Sequence, residues 1–136
     1  MSYQEALSAA GAEVLDFEQF GSYQGDWWAK VRYEGKESWV NGAFGSCSGC
    51  DSFEAEFGWD EGHCEAHKYD DKGSVGCHQC AEAAELYEKR LADFGRGFLS
   101  DLRTQEEAEA EASRNIEWDH DAEKMLSWIK DHALCC

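Results

Sequence analysis

Basic residues are scarce in this sequence. Lys and Arg account for 12 of the 136 residues and Asp and Glu for 29, which gives a formal net charge of -17. A surface with this charge repels phosphate backbones and anionic lipid head groups, so direct binding to nucleic acid or membranes is not expected. The same charge attracts basic proteins, although acidic side chains also keep a protein dispersed without any partner.

Long apolar runs are absent as well. No segment approaches the roughly 20 apolar residues of a membrane-spanning helix, and the N-terminal stretch lacks the basic and apolar regions of a signal peptide. The sequence therefore predicts a cytoplasmic protein. Thiols stay reduced in that compartment, so the 7 Cys residues are interpreted as metal ligands before disulfides.

The sequence also lacks the common catalytic motifs. It has no Ser-His-Asp ordering, no phosphate-binding loop and no H-E-x-x-H element. Its carboxylate clusters, such as Asp70-Asp71, are most simply a solvated surface. We therefore identify no candidate catalytic residue.

Aromatic residues are plentiful: 6 Trp, 5 Tyr and 7 Phe, in a chain that is 43% hydrophobic, predict a folded protein. The length suits a single domain, 1–136. Its pattern changes twice, giving an N-terminal helix and β-meander at 1–46, a Cys/His-rich region at 47–80 and a helical region at 81–136. The predicted fold class is α+β, a small antiparallel β-meander packed with C-terminal helices and pinned by a structural zinc site.

The predicted meander follows a short helix at residues 3–10. Period-2 alternation from Trp27 to Tyr33 predicts a strand, whereas the apolar positions of residues 14–20 fit neither a helix nor a strand cleanly. A turn at 34–36 leads to a second strand at 37–40. Asn41-Gly42 is a strong hairpin signal, so the sequence allows that strand to end there and another to begin at Ala43.

The helical region contains two amphipathic stripes. Gly95 and Gly97 are expected to interrupt the first helix near its end, and Asn115 can cap the last one. Between them, a capping box at Thr104 opens a Glu- and Ala-rich helix without an apolar face, which is expected to be solvated or docked on a partner. The apolar stripes are interpreted as core and contain Ala84, Tyr87, Leu91, Phe94 and Phe98, then Trp118, Ala122, Met125, Ile129 and Ala133.

Two C-x2-C pairs flank a loop in the Cys/His-rich region. This is the usual arrangement of a structural zinc site, because a two-residue spacer lets both sulfurs face one tetrahedral ion. The second pair opens a helix, whose positive end favours thiolates. We predict one structural Zn²⁺ bound by Cys47, Cys50, Cys77 and Cys80. His63, Cys64 and His67 lie between the pairs and are alternative ligands, spectators or the functional part of the region.

Other interpretations of these residues remain. Cys47, Cys50, His63 and His67 have the ligand spacing of a nucleic-acid-binding finger, but the acidic segment between them argues against that function and leaves only the ligand set. A redox dithiol is an alternative, although the strand and helix context of thioredoxin is missing.

A zinc deaminase is a further alternative. His63-Cys64-Glu65 and the second C-x2-C pair are similar to the motifs of those enzymes. Only eleven residues separate Glu65 from Cys77, too few for the helix and strand that normally separate the two motifs, and the chain contains no Pro. Both observations argue against a deaminase.

Residues 21–58 resemble a group of small, largely uncharacterised bacteriophage proteins. The shared elements are Tyr23-x-Gly25-Asp26, a pair of aromatic strands, and the segment Gly45-Ser46-Cys47-Ser48-Gly49-Cys50-Asp51. The resemblance implies a genomic setting rather than a reaction. For a phage-encoded protein, the expected location is the cytoplasm of the host cell.

Charge, predicted zinc site and resemblance together lead to one functional hypothesis. We expect a zinc-stabilised acidic interaction protein, an anti-CRISPR-like or anti-restriction-like inhibitor that mimics nucleic acid and binds the basic surface of a host nucleic-acid-handling or defence protein. A small zinc- or thiol-dependent enzyme and a self-associating assembly factor are the alternatives. The candidate partner-binding residues are Glu106, Glu107, Glu109 and Glu111.

Overall fold

The computed structural model describes residues 2–45, 51–58, 62–67, 76–114, 116–117 and 120–134. Its elements in chain order are α1 (Ser2–Ala9), β1 (Glu13–Gly21), β2 (Gly25–Tyr33), β3 (Lys36–Phe44), α2 (Ser52–Phe57), a 3-10 turn (Glu65–His67), α3 (His78–Leu99), α4 (Gln105–Ser113) and α5 (His120–Asp131). A three-stranded antiparallel sheet packed with helices confirms the predicted α+β class.

The sheet is a meander in the order β1-β2-β3. The turn between β2 and β3 consists of Glu34 and Gly35, with φ angles of 53° and 79°, which matches the left-handed turn that suits the twist of a two-residue hairpin. The segment that fitted neither period, residues 14–20, lies within β1 and contains a register shift between Val14 and Asp16. That irregularity explains why its apolar residues do not alternate.

The hairpin signal at Asn41-Gly42 is misleading, because β3 continues through both residues to Phe44. Gly42 is instead required by packing: a Cβ atom at this position would lie 2.6 Å from Nε1 of Trp27. The glycine makes room for an indole ring of the core and does not turn the chain.

The sheet lies between two helical layers. On one face, Trp27, Ala29 and Val31 pack with α1 and α3. On the other face, Trp28 and Trp39 pack with α4 and α5. Alternation along β2 therefore places an indole ring in each core, as expected for a strand covered on both sides.

The interruption predicted in α3 is also wrong, because the helix runs through Gly95 and Gly97 to Leu99. Gly95 is buried where α3 crosses α1, and a Cβ atom there would lie 2.0 Å from the carbonyl oxygen of Ala6. The missing side chain allows two helix backbones to approach closely. In the apolar stripe predicted for this helix, Leu91 is buried and Ala84 is exposed.

The acidic helix α4 has the predicted capping box at Thr104, but it is not polar on every side. Ala108 and Ala112, one turn apart, are 0% and 3% exposed against the second core. Small side chains thus form an apolar face that the Glu-rich composition obscured. Within α5 the stripe residues Ala122, Met125 and Ile129 are buried; Ala133 is exposed after the helix end, and Asn115 and Trp118 lie outside the described residues.

None of the helices in the described part of the chain has both the length and the apolar character needed to cross a bilayer.

Candidate metal centre

Four metal-ligating side chains meet beside the N-terminus of α3. One ligand atom from each of Cys64, His67, Cys77 and Cys80 lies within 4.8 Å of all the others. The Cys64 and Cys80 sulfurs are 3.4 Å apart, those of Cys64 and Cys77 are 4.0 Å apart, and Nδ1 of His67 lies 3.3 Å from the sulfurs of Cys64 and Cys80. Tetrahedral zinc with Zn–S bonds of about 2.3 Å places its sulfurs roughly 3.8 Å apart, so the group matches a zinc site.

Local backbone structure presents the first two ligands together. Cys64 precedes a single 3-10 turn that ends at His67, and the backbone N–H of His67 donates to the carbonyl oxygen of Cys64 at 3.1 Å. Gly62, just before this turn, has a φ of 85° and packs against Tyr87 of α3, where an added Cβ atom would be 3.2 Å from the Tyr87 side chain. The loop therefore lies directly on the helix that supplies the other two ligands.

The start of α3 supplies Cys77 and Cys80. Cys77 is the N-cap residue and Cys80 lies in the first turn, where backbone N–H groups without helical partners point outward. Hydrogen bonding from the backbone N–H of Cys80 lowers the pKa of the Cys77 thiol to about 7. This helix end therefore favours the metal-binding thiolate form of Cys77. A backbone hydrogen bond at Cys64 lowers the pKa of Cys80, but burial and the neighbouring thiols of Cys64 and Cys77 outweigh it, so that pKa is raised.

The ligand chemistry indicates a structural site. Three sulfurs and one imidazole nitrogen would fill all four positions of a tetrahedral ion, and Cys80 is only 6% exposed. Catalytic zinc sites keep one position for water or substrate. A closed set of four protein ligands would instead join the 62–67 segment to α3.

The structure brings together half of the predicted ligands and two of the alternatives. Cys77 and Cys80 are in the group, joined by Cys64 and His67. Cys47 and Cys50 lie outside the described residues, so their ligand role stays a prediction. His63 is half-buried next to Cys64 but does not belong to the group. The Cys64-x2-His67 spacing, which equals that of a C-x2-C pair, was the signal for the first two ligands.

Asp51 is a residue for which the sequence analysis gave no role. Its carboxylate accepts the backbone N–H groups of Phe53 and Glu54 at 2.9 and 3.2 Å and so caps α2. It also accepts the backbone N–H of Gly45 at 3.0 Å and the hydroxyl of Tyr3 at 2.5 Å. An Asp directly before a helix is a capping signal. Here its carboxylate also links Gly45, which precedes residues 46–50 in the sequence, to the start of α2, which follows them.

The four candidate partner-binding carboxylates all lie on α4, where three have partners within the protein. Glu107 belongs to the capping box, and the backbone N–H of Thr104 lowers its pKa. Glu109 accepts a hydrogen bond from Nε2 of Gln105 at 3.0 Å, and Glu111 pairs with Arg114. Glu106 is exposed.

The fold and site define an α+β protein with a candidate Cys3His metal centre. Comparison of the chain with protein-family models, with curated proteins and with solved structures finds no match.

Proposed function

We propose that this protein is a zinc-stabilised acidic interaction protein that binds the basic surface of a nucleic-acid-handling protein. The observation that supports the proposal most directly is the location of its charge. Among the residues whose burial the structure describes, Ser38 is the only buried polar one, so no described Asp or Glu is a buried residue, although Oε2 of Glu54 is itself enclosed. Even with every Lys and Arg paired to one carboxylate, 17 carboxylates would have no basic partner.

The metal centre supplies rigidity to this surface. Zinc bound by Cys64, His67, Cys77 and Cys80 would fix a segment with little regular structure to the longest helix, because metal binding contributes directly to folding free energy. A fixed array of carboxylates loses less conformational entropy on binding than a flexible acidic tail.

Binding would follow from charge complementarity. A strongly negative surface accelerates encounter with a positive groove and occupies the place of a phosphate backbone there. The resemblance of residues 21–58 to bacteriophage proteins suggests that the partner belongs to the nucleic-acid-handling or defence machinery of a bacterial host, which the acidic protein would inhibit.

A capture experiment tests the proposal. Immobilised protein is incubated with bacterial lysate at low ionic strength, and bound proteins are identified before and after addition of duplex DNA. We expect basic nucleic-acid-binding proteins that are released by DNA and by rising salt. Recovery of partners that neither DNA nor salt displaces would overturn it.

A thiol redox protein is the second candidate. It is favoured by the 3.4 Å separation of the Cys64 and Cys80 sulfurs and by the low pKa of the Cys77 thiol. Metal analysis of untagged protein separates the two candidates. Zinc that chelators remove only as the protein unfolds supports the structural site, whereas metal-free folded protein with one reactive thiol supports redox chemistry.

A further inference from the structure

Among the described residues, none covers the outer edge of β1 on either face of the sheet near Glu18 and Gln19. In the described part of the chain, β1 pairs with β2 alone. A groove of about 420 Å³ lies between this strand and α1, and another of about 620 Å³ lies between it and α5. Glu18 and Gln19, both exposed, line the two grooves. Neither helical layer therefore covers this part of the strand.

The usable length of the edge is set by the irregularity of β1. Pairing with β2 is regular from Asp16 to Gly21, beyond the register shift. The exposed backbone N–H of Gln19 donates to Oε1 of Glu18 at 3.3 Å, so its hydrogen-bond acceptor is a side chain of the same strand and not the backbone of another strand. An edge of this kind is a template for another strand.

The groove below α5 combines an aromatic floor with an acidic rim. The rings of Phe20 and Trp128 meet edge to face, with centroids 5.9 Å apart. Exposed carboxylates surround them, and Lys124 is the basic residue of this lining. A guanidinium or ammonium group would be attracted chiefly by the carboxylates, because Phe20 is only 9% exposed and the ring of Trp128 already packs on that of His132, with centroids 4.6 Å apart. The rim carboxylates are Glu18, Glu123 and Asp131.

We propose that the β1 edge from Asp16 to Gly21 binds an extended Arg- or Lys-rich segment of a partner protein, which adds a fourth strand to the sheet. This inference rests on the proposed function and specifies the surface and the partner chemistry. Side chains of an added strand alternate between the faces, so every second residue of the segment would enter the groove below α5. Pairing with a second copy is disfavoured, because two chains that each carry a net charge of -17 repel each other.

A labelled peptide tests the site directly. The probe is a nine-residue peptide with Arg at alternating positions and Thr or Val between them, and its binding to the full chain is followed by fluorescence anisotropy. The site variant is Glu18→Gln/Glu123→Gln/Asp131→Asn. The control is Glu82→Gln/Glu85→Gln/Glu88→Gln, which changes the net charge equally at exposed positions of α3. We expect the site variant to weaken binding by about tenfold or more and the control by less than about threefold.

A second peptide tests strand addition on the unmodified protein. N-methylation at alternating residues keeps the charge of the probe and removes the N–H groups that would pair with β1. We expect its affinity to fall by about tenfold or more. Equal binding of the two peptides would overturn strand addition.

The remaining outcomes separate this inference from the proposed function. Equally weakened peptide binding in both triple variants would overturn the assignment of binding to this groove. It would remain compatible with the proposed function, in which the acidic surface as a whole attracts a basic partner. Failure of the peptide to bind, with DNA-displaceable capture of basic proteins retained, would also overturn the groove alone. A dimer detected by light scattering and abolished by the site variant would show that a second copy occupies the edge.

Discussion

Tyr3 and Asp51 are joined by a hydrogen bond of 2.5 Å between the phenolic hydroxyl and Oδ1, across 48 positions of sequence. The Tyr3 hydroxyl also accepts the backbone N–H of Phe53 at 3.3 Å, and its ring stacks on Trp27 with centroids 5.0 Å apart. One side chain of α1 thus connects the first core to the cap of α2. The predicted ligands Cys47 and Cys50 lie directly before this cap in the sequence.

Replacing Tyr3 by Phe should lower the free energy of unfolding by about 1–2 kcal/mol, because the ring remains while a hydrogen bond to a carboxylate is lost. Urea denaturation measures the change. Tyr23→Phe is the matched control, since Tyr23 lies between β1 and β2 and is 81% exposed. Equal stability of the two variants would contradict the role given to the Tyr3 hydroxyl.

The same hydroxyl predicts a dependence on alkaline pH. Burial, together with the hydrogen bond to Asp51, raises the pKa of Tyr3 from 10.0 to about 12. Because the folded-state pKa is the higher one, this stabilisation is fully present below pH 10 and is lost as pH rises toward 12. The stability difference between wild type and Tyr3→Phe should therefore shrink over that interval in urea denaturation at stepped pH. A constant difference would show that Tyr3 does not titrate with folding.

Two glycines of α3 give a matched pair of substitutions. Gly95→Ala would place a Cβ atom 2.0 Å from the carbonyl oxygen of Ala6, so α1 must move away. We expect a loss of about 2–3 kcal/mol, the upper part of the range for overpacked cores. A Cβ atom at Gly97 meets no atom within 4 Å, and Gly97→Ala should stabilise the helix by about 1 kcal/mol. Thermal unfolding of both variants checks the opposite signs.

These glycines also show what the sequence could and could not predict. Alternation around Trp28 predicted a strand with two distinct faces because side-chain direction in a strand is fixed locally. Gly42 and Gly95 were interpreted as turn and helix breaks, yet each is required by an atom distant in sequence, Nε1 of Trp27 or the carbonyl oxygen of Ala6. Such contacts depend on tertiary packing, which local propensity does not contain.

The candidate metal centre shows the same division. The spacing of Cys77 and Cys80 predicted a ligand pair at the start of a helix, and both belong to the group of four. Spacing could not choose their companions, because Cys47-x2-Cys50 and Cys64-x2-His67 are equally suited to one ion. The packing of the 62–67 segment on α3 brings Cys64 and His67 to this pair. Likewise, the buried face of α4 depends on alanines that fit against Trp28 and Trp39.

The β2–β3 turn offers a stabilising substitution. Glu34 adopts a φ of 53°, a conformation that Asn tolerates better than Glu, and it is followed by Gly35. Glu34→Asn should raise the free energy of unfolding by about 0.5–1 kcal/mol in urea denaturation. Glu34→Ala removes the same charge without the conformational preference and should give no gain. Equal stabilisation by both variants would attribute the effect to charge.

Metal content should distinguish the two possible ligand sets. We expect about one zinc per chain, lost in Cys64→Ser and in His67→Ala, because three ligands hold a structural ion far less tightly than four. The double variant Cys47→Ser/Cys50→Ser should retain zinc and serves as the control for removing thiols. Elemental analysis after gel filtration measures the ratio, and chelator-induced loss of helical signal reports the coupling to folding. Zinc retained by Cys64→Ser but lost from the double variant would show that Cys47 and Cys50 are ligands and that Cys64 is not.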